Sequence, residues 1–138
     1  MTAARFRRRL EPPTIEGVAE AAVELDAWCR RSGVDEQRRR DLLLIHDELA
    51  SNVARHAGGA TFVAIRARLE HEAARLVYGV EDDGDRFDPL ARRSPETGAP
   101  LEERVPGGLG IHLVRTLAAR VAWRRARGRN RLEVELAL

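Results

Sequence analysis

The chain has 138 residues, with 24 basic and 22 acidic side chains and a formal net charge of +2. This length predicts one domain over residues 1–138, large enough to fold without a disulfide or structural metal. All 24 basic residues are arginine. The absence of lysine excludes Walker A ATPases, kinases that hold ATP with a strand lysine, and Schiff-base enzymes. The small net charge does not predict a nucleic-acid partner.

Compartment and membrane contact follow from features that the sequence lacks. No apolar run approaches the ~18 residues that a membrane span needs. Residues 1–10 lack the apolar stretch of a signal peptide. The single cysteine, Cys29, cannot form an internal disulfide, so we expect a cytoplasmic protein with no membrane contact.

Hydrophobic periodicity predicts eight elements in the order β-α-α-β-β-α-β-β. The expected ranges are a strand over 3–10, helices between Thr14 and Gly33 and over 35–56, strands over 61–70 and 75–82, a helix over 108–121, and a hairpin of 121–127 and 132–136. A polar loop over 83–106 exceeds the usual length of a connection, which indicates a functional or mobile segment. Helices covering one face of a mixed, mostly antiparallel sheet predict an α+β two-layer sandwich.

The first candidate site is the segment HDELASNVARHA, residues 46–57. At ~100° per helical residue, Glu48, Asn52 and Arg55 lie within about 60° of one another. They flank an apolar stripe formed by Leu42, Ile45, Leu49 and Val53. A carboxylate at that edge can accept a proton from a hydroxyl, and an amide oxygen one turn away can bind Mg²⁺. The alternative is an ordinary amphipathic helix with solvated polar positions.

The second candidate is VEDDGDRFDP, residues 80–89. Period two places Asp82 on the same strand face as Tyr78 and Val80. A buried carboxylate needs hydrogen-bond donors. The amino group of adenine can supply one, and Gly84 allows a ring to approach closely. The alternative is a common Asp-Gly turn after a strand.

The third candidate is GGLGIHLV, residues 107–114. Glycines at the start of a helix, here Gly108 and Gly110, leave backbone N–H groups directed outward at its positive end, which suits a phosphate. The alternative is a flexible hinge with a glycine-rich helix start.

The three motifs in this order resemble the GHKL (Bergerat-fold) ATPase superfamily. DELASNVARHA, DDGDRFDP and GGLGIHLVRTLA resemble its anti-sigma-factor serine kinases, the RsbW-like group. The resemblance implies that Glu48 is the general base and that Asn52 is the Mg²⁺ ligand at the nucleotide site. It also implies that Asp82, with Gly84 beside it, binds adenine. Gly108 and Gly110 are implied to contact the phosphates, and Arg104, in the implied lid, is assigned to a phosphate by its charge.

The resemblance further implies what the protein acts on. The expected reaction transfers the γ-phosphate of Mg-ATP to a serine of a small antagonist of the STAS fold. The same protein is expected to sequester a sigma factor, as a homodimer, without direct contact to nucleic acid.

Two departures from the family pattern leave an alternative open. Arg86 replaces the second glycine of the Asp-x-Gly-x-Gly motif, and a threonine usual near the final hairpin is missing. Asn130 is a candidate to replace the hydrogen bond of that threonine on the adenine side. The Arg86 change motivates the alternative of a nucleotide-gated binding module with little or no kinase activity.

A nucleic-acid binder is the third hypothesis, because arginines crowd the final hairpin. Alternation places Arg125, Arg127, Arg129 and Arg131 on one face with Glu133 and Glu135. A solvated face explains this pattern better, since aromatic stacking platforms are missing. Among other side chains, Trp28 and Cys29 are expected in the core, and His46 and His112 on helix surfaces.

Overall fold

A computed structural model describes residues 4–91 and 108–138 of the chain. The elements, in chain order, are β1 (Ala4–Leu10), α1 (Ile15–Arg31), α2 (Glu36–His56), β2 (Val63–Glu70), β3 (Arg75–Asp82), a short 3-10 turn (Pro89–Ala91), α3 (Gly108–Leu117), β4 (Arg120–Ala126) and β5 (Arg129–Ala137). Apart from the short turn, this is the predicted order.

One five-stranded sheet carries the strands in the order β1-β2-β3-β5-β4, and every pairing in it is antiparallel. The helices pack on one face, so the predicted two-layer α+β sandwich is confirmed. The last strand in sequence, β5, lies between β3 and β4. This order brings the end of β3 beside the start of β5, directly below the carboxyl end of α2.

Two predicted boundaries shift, for identifiable reasons. The strand β2 starts at Val63 because the carboxylate of Asp83 accepts hydrogen bonds from the backbone N–H groups of Thr61 and Phe62, at 2.7 and 3.2 Å. The helix α3 ends at Leu117 rather than near residue 121. Its end follows from the bond of the Ala119 N–H to the Glu135 carbonyl at 2.8 Å, which draws the chain into the sheet.

The two long helices start at side-chain caps. Thr14 Oγ1 accepts from the Gly17 N–H at 2.9 Å, and the Asp35 carboxylate accepts from the Arg38 N–H at 2.9 Å. Such caps satisfy backbone donors that have no partner inside the helix. Gly33, with φ of 78°, turns the chain between the helices as predicted.

The core between sheet and helices includes buried polar groups, among them the ring of His46 and the hydroxyl of Tyr78. Trp28 and Cys29 are buried in it as expected, and burial raises the pKa of the Cys29 thiol to about 11. The expectation that His46 lies on the surface is wrong, because its ring is fully buried between α1 and β3. His46 Nε2 donates to the Val18 carbonyl at 2.9 Å, which leaves Nδ1 to accept from the Tyr78 hydroxyl at 2.7 Å.

The arginines of the final hairpin divide between the two faces of the sheet. Arg129 and Arg131 face away from the helices and form ion pairs with Glu81 at 3.0 and 3.1 Å. The expectation that Arg125 shares this face is wrong. Arg125 pairs across the ladder with Asn130, whose side chain faces the helices, and cross-strand partners share a face.

Candidate functional site

The helix α2 presents Glu48 and Asn52 one turn apart at the edge of its buried face, as the periodicity predicted. The Asn52 side chain lies close enough to Glu48 to affect the pKa of its carboxyl group. The Asn52 amide can donate to that carboxylate through its NH₂ group, and its carbonyl oxygen can accept or bind a cation. Burial raises the pKa of Glu48, against the opposing effects of Asn52, Arg55 and His56. A carboxylate with a raised pKa is a better proton acceptor.

The strand β3 ends at Asp82, which is buried on the face toward the helices, as predicted. Its Oδ1 accepts the Gly84 N–H at 2.9 Å and an Asn130 amide hydrogen at 3.1 Å. No bond from a residue in 4–91 or 108–138 reaches Oδ2. Burial raises the pKa of Asp82, partly offset by the bonds from Asn130 and Gly84. One carboxylate oxygen therefore remains to accept a donor from a ligand.

Gly84 is needed for packing inside the protein. A Cβ at this position would lie 3.1 Å from both the Ala57 Cβ and the Gly58 carbonyl oxygen. The neighbouring Asp85 N–H donates to that same carbonyl at 2.9 Å. Gly84 thus joins the end of β3 to the end of α2, which holds Asp82 and Asn52 at one site.

The side chain of Asn130 forms three hydrogen bonds at the base of this site. Its amide group donates to Asp82 Oδ1 and, at 2.8 Å, to the Asp85 carbonyl, and its own oxygen accepts the Phe87 N–H at 3.1 Å. Both amide hydrogens and the oxygen are bound by the protein. Asn130 therefore orients Asp82. Its oxygen keeps a second lone pair, so the replacement of the family threonine on the adenine side stays a prediction.

A small cavity of about 40 Å³ lies between α2 and the sheet. Its walls include Asn52 and Asp82 together with apolar side chains, namely Leu49, Val53, Val80, Phe87, Trp123 and Leu132. Apolar walls around a free carboxylate oxygen suit a flat heterocycle that carries an amino group. The cavity is open on one side, so this volume is the inner part of a larger cleft and does not set the size of a ligand.

Arg86 lies outside this cavity. The side chain is exposed, and its guanidinium carbon is 5.2 Å from the ring centre of Trp123, a cation–π contact. The change from the family glycine therefore adds a charge at the mouth of the cavity and fills none of its interior. Nothing in the sequence pattern assigned Trp123 to this site, because its place depends on the pairing of β4 with β5.

The glycine motif opens α3 at Gly108, as predicted. Gly110, two residues on, packs against the side chain of Glu48. Arg104 and most of the implied lid lie outside the described residues. The structure thus brings together Glu48, Asn52, Asp82, Gly84 and Gly110.

Asn52 is the residue of this site that would hold a cation beside a nucleotide. Within residues 4–91 and 108–138, no three His, Cys, Asp or Glu side chains form a cluster that could hold a metal ion. Mg²⁺ commonly keeps several waters and binds one or two protein groups plus phosphate oxygens. The carbonyl oxygen of Asn52 is sufficient for that arrangement.

Among residues 4–91 and 108–138, no helix is long and apolar enough to cross a membrane.

The sequence matches one family over most of its length. The family described as "Histidine kinase-like ATPase domain" covers residues 12–136. The serine/threonine-protein kinase BtrW of Bordetella bronchiseptica is 30% identical over 108 residues, which is 78% of this chain and 72% of BtrW.

Two solved structures share the fold. The RsbU and RsbW domains of a Mycobacterium tuberculosis protein match with a TM-score of 0.68 and 16% identity over 96% of this chain. This chain spans 32% of the matched chain, which is less than two thirds of its length. The SiaB–SiaC complex of Pseudomonas aeruginosa matches with a TM-score of 0.59 and 14% identity, over 95% of this chain and 89% of the matched chain.

Proposed function

Because the chain belongs to the histidine kinase-like ATPase family, and its motifs resemble the RsbW-like kinases, we propose that it is a Mg-ATP-dependent serine/threonine protein kinase. Its substrate is a serine of a STAS-type anti-sigma-factor antagonist. The protein also sequesters a sigma factor, acting as a homodimer in the cytoplasm, and phosphorylation of the antagonist leaves it free to do so.

One observation carries this proposal: a carboxylate with a raised pKa, Glu48, lies beside the same Asn52 that lines a cavity with Asp82. In the proposed reaction, the serine oxygen bonds to the γ-phosphorus of ATP while Glu48 takes the proton of the serine hydroxyl. The bond between the γ-phosphorus and the oxygen of the leaving ADP breaks. Asp82 Oδ2 accepts a hydrogen bond from the adenine amino group. Asn52 would hold Mg²⁺ through its amide oxygen, and the ion would neutralise charge on the phosphates.

The partners are proposed from the family resemblance and from the relatives. BtrW is a serine/threonine-protein kinase, and the two similar structures contain an RsbU domain and SiaC beside the kinase-like fold. These neighbours support a dedicated protein substrate rather than a small molecule.

The test is phosphate transfer. The purified protein is incubated with Mg²⁺ and γ-labelled ATP and with STAS-domain proteins encoded in the same genome, each with its acceptor serine intact or changed to alanine. We expect labelling of one antagonist at serine and its loss in Glu48→Ala. Transfer by Glu48→Ala at the wild-type rate contradicts the proposed role of Glu48.

The second candidate function is a nucleotide-gated binding module, favoured by Arg86 at the position of a family glycine. The exposed place of Arg86 outside the cavity argues for retained nucleotide binding. A sigma-factor complex that forms with ATP, without labelling of any antagonist, supports the module. A phosphorylated antagonist excludes it.

A further inference from the structure

The first turn of α3 rests directly on the side chain of Glu48. A Cβ built on Gly110 would lie 1.8 Å from both Cδ and Oε1 of Glu48, and 2.3 Å from Oε2. Non-bonded carbon atoms pack at about 3.5–4.0 Å. Any side chain at position 110 is therefore incompatible with the present place of the Glu48 carboxylate.

The carboxylate is flanked on two sides. Asn52 lies beside it on the following turn of α2. The backbone of Gly110 covers it from α3, which packs on α2 in the core through Ile111 and Val114. Glu48 is the flexible partner in this contact, because its carboxylate ends a side chain with three rotatable bonds. An added Cβ would displace the carboxylate and leave the helices in place.

We propose that Gly110 is a positioning residue for Glu48, fixing the carboxylate by the close approach that only glycine allows. This inference rests on the proposed function, in which Glu48 is the general base. It differs from the role that the family resemblance assigns to Gly110, which is contact with a phosphate. A base works only within hydrogen-bond reach of the proton it takes, so a displaced carboxylate loses rate without loss of substrate binding.

The two roles of Gly110 predict different results for Gly110→Ala in two backgrounds. If Gly110 positions Glu48, the change lowers the rate of transfer at saturating ATP at least 100-fold and leaves the ATP dissociation constant within threefold. Added to Glu48→Ala, the same change has no further effect. If Gly110 instead contacts phosphate, Gly110→Ala weakens ATP binding equally with glutamate or alanine at position 48.

A second readout needs no nucleotide. Burial raises the pKa of Glu48, and a carboxylate pushed out toward water regains an ordinary pKa. Carbon-13 NMR of the side-chain carboxyl carbons at one fixed pH, in the nucleotide-free protein, should show a shifted Glu48 resonance in Gly110→Ala, because the added Cβ displaces the carboxylate. Gly79→Ala is the matched control, since a Cβ there meets only the Leu132 carbonyl oxygen, at 3.7 Å.

The outcomes separate this inference from the proposed function. An unshifted Glu48 carboxyl resonance in Gly110→Ala overturns the inference, even if no antagonist is found. An active Gly110→Ala beside an inactive Glu48→Ala also overturns it but leaves the kinase intact. An active Glu48→Ala removes the role of Glu48 as base. The melting temperature of Gly110→Ala should not fall, because alanine is a better helix former than glycine.

Discussion

Asn130 lies directly opposite Asp82 in the β3–β5 ladder and donates an amide hydrogen to its Oδ1 at 3.1 Å. Together with the Gly84 N–H, this bond occupies one carboxylate oxygen and leaves the other for a ligand. The nucleotide specificity that we propose thus depends on a pair of residues that meet only when the final strand is in register.

Asp82→Asn should weaken ATP binding by tenfold to a hundredfold. The variant keeps Oδ1 for Gly84 and Asn130 but presents an NH₂ group where the adenine amino group needs an acceptor. Loss of a hydrogen bond to a charged group is worth ~1.5–3 kcal/mol. Isothermal calorimetry with and without Mg²⁺ measures the change. If the variant binds ATP with wild-type affinity, the adenine ring binds elsewhere.

Asn130→Ala should lower both stability and nucleotide affinity. The change removes three hydrogen bonds and leaves the Asp85 carbonyl without its side-chain partner. We expect a loss of about 1–3 kcal/mol in the free energy of unfolding, measured by urea titration. Arg127→Gln, an exposed change in the adjacent turn, serves as control and should have little effect. Equal stability of the two variants contradicts the positioning role.

Glu48→Gln should slow phosphate transfer by about 100-fold to 10,000-fold, the usual contribution of a general base. Asp47→Asn, on the exposed side of the same helical turn, should stay active. The wild-type rate should fall on acidification at a higher pH than for an ordinary glutamate, because burial raises the pKa of Glu48 and only the ionised form accepts a proton. If Glu48→Gln leaves the shape of the pH–rate profile unchanged, the pH dependence of the rate does not come from Glu48.

Arg86→Ala should leave ATP affinity within about threefold of wild type. The side chain is exposed and contributes only its contact with Trp123, worth about 0.5–1 kcal/mol at an exposed site. Calorimetry decides, with Arg124→Ala on the exposed face of β4 as control. A tenfold gain in affinity would show that Arg86 obstructs the cavity and would favour the binding-module hypothesis.

His46 should make stability pH-dependent. Burial lowers the pKa of this histidine in the folded protein, whereas in the unfolded chain it keeps its usual value near ~6.5. As pH falls through that value, the unfolded state takes up the proton first, so stability is lost toward lower pH, by up to ~1.4 kcal/mol per pH unit.

Urea titrations at pH 8 and pH 5.5 measure the effect of His46. We expect His46→Gln to be less stable than wild type at pH 8, because it disturbs the buried bonds to Val18 and Tyr78. The variant should also lose most of the pH dependence. His112→Gln, at an exposed position, should keep it. If the free energy of unfolding changes equally with pH in all three proteins, His46 is not the source of the pH dependence.

The parts of the site that follow a local period could be predicted from the sequence. Helical spacing placed Glu48 beside Asn52, and alternation along β3 placed Asp82 on the buried face. Each prediction needs only the geometry of one element. The elements, their order and the two-layer architecture follow from the same patterns.

The parts that depend on pairing between distant segments could not be predicted. Asn130 meets Asp82 across 48 positions of sequence, and Trp123 enters the cavity through the β4–β5 register. His46 is buried because the Tyr78 hydroxyl and the Val18 carbonyl happen to satisfy both ring nitrogens. Periodicity carries no information about such partners, so the histidine was predicted on the surface.

The place of β5 between β3 and β4 has a consequence for biosynthesis. The strand β5 pairs on both of its sides, so the described sheet stays divided until residues up to Ala137 have left the ribosome. Until then β4 has no neighbour among the described strands, and Asp82 lacks Asn130. Helices α1 and α2 can form early from local contacts, but the proposed nucleotide site is completed only after β5 has been synthesised.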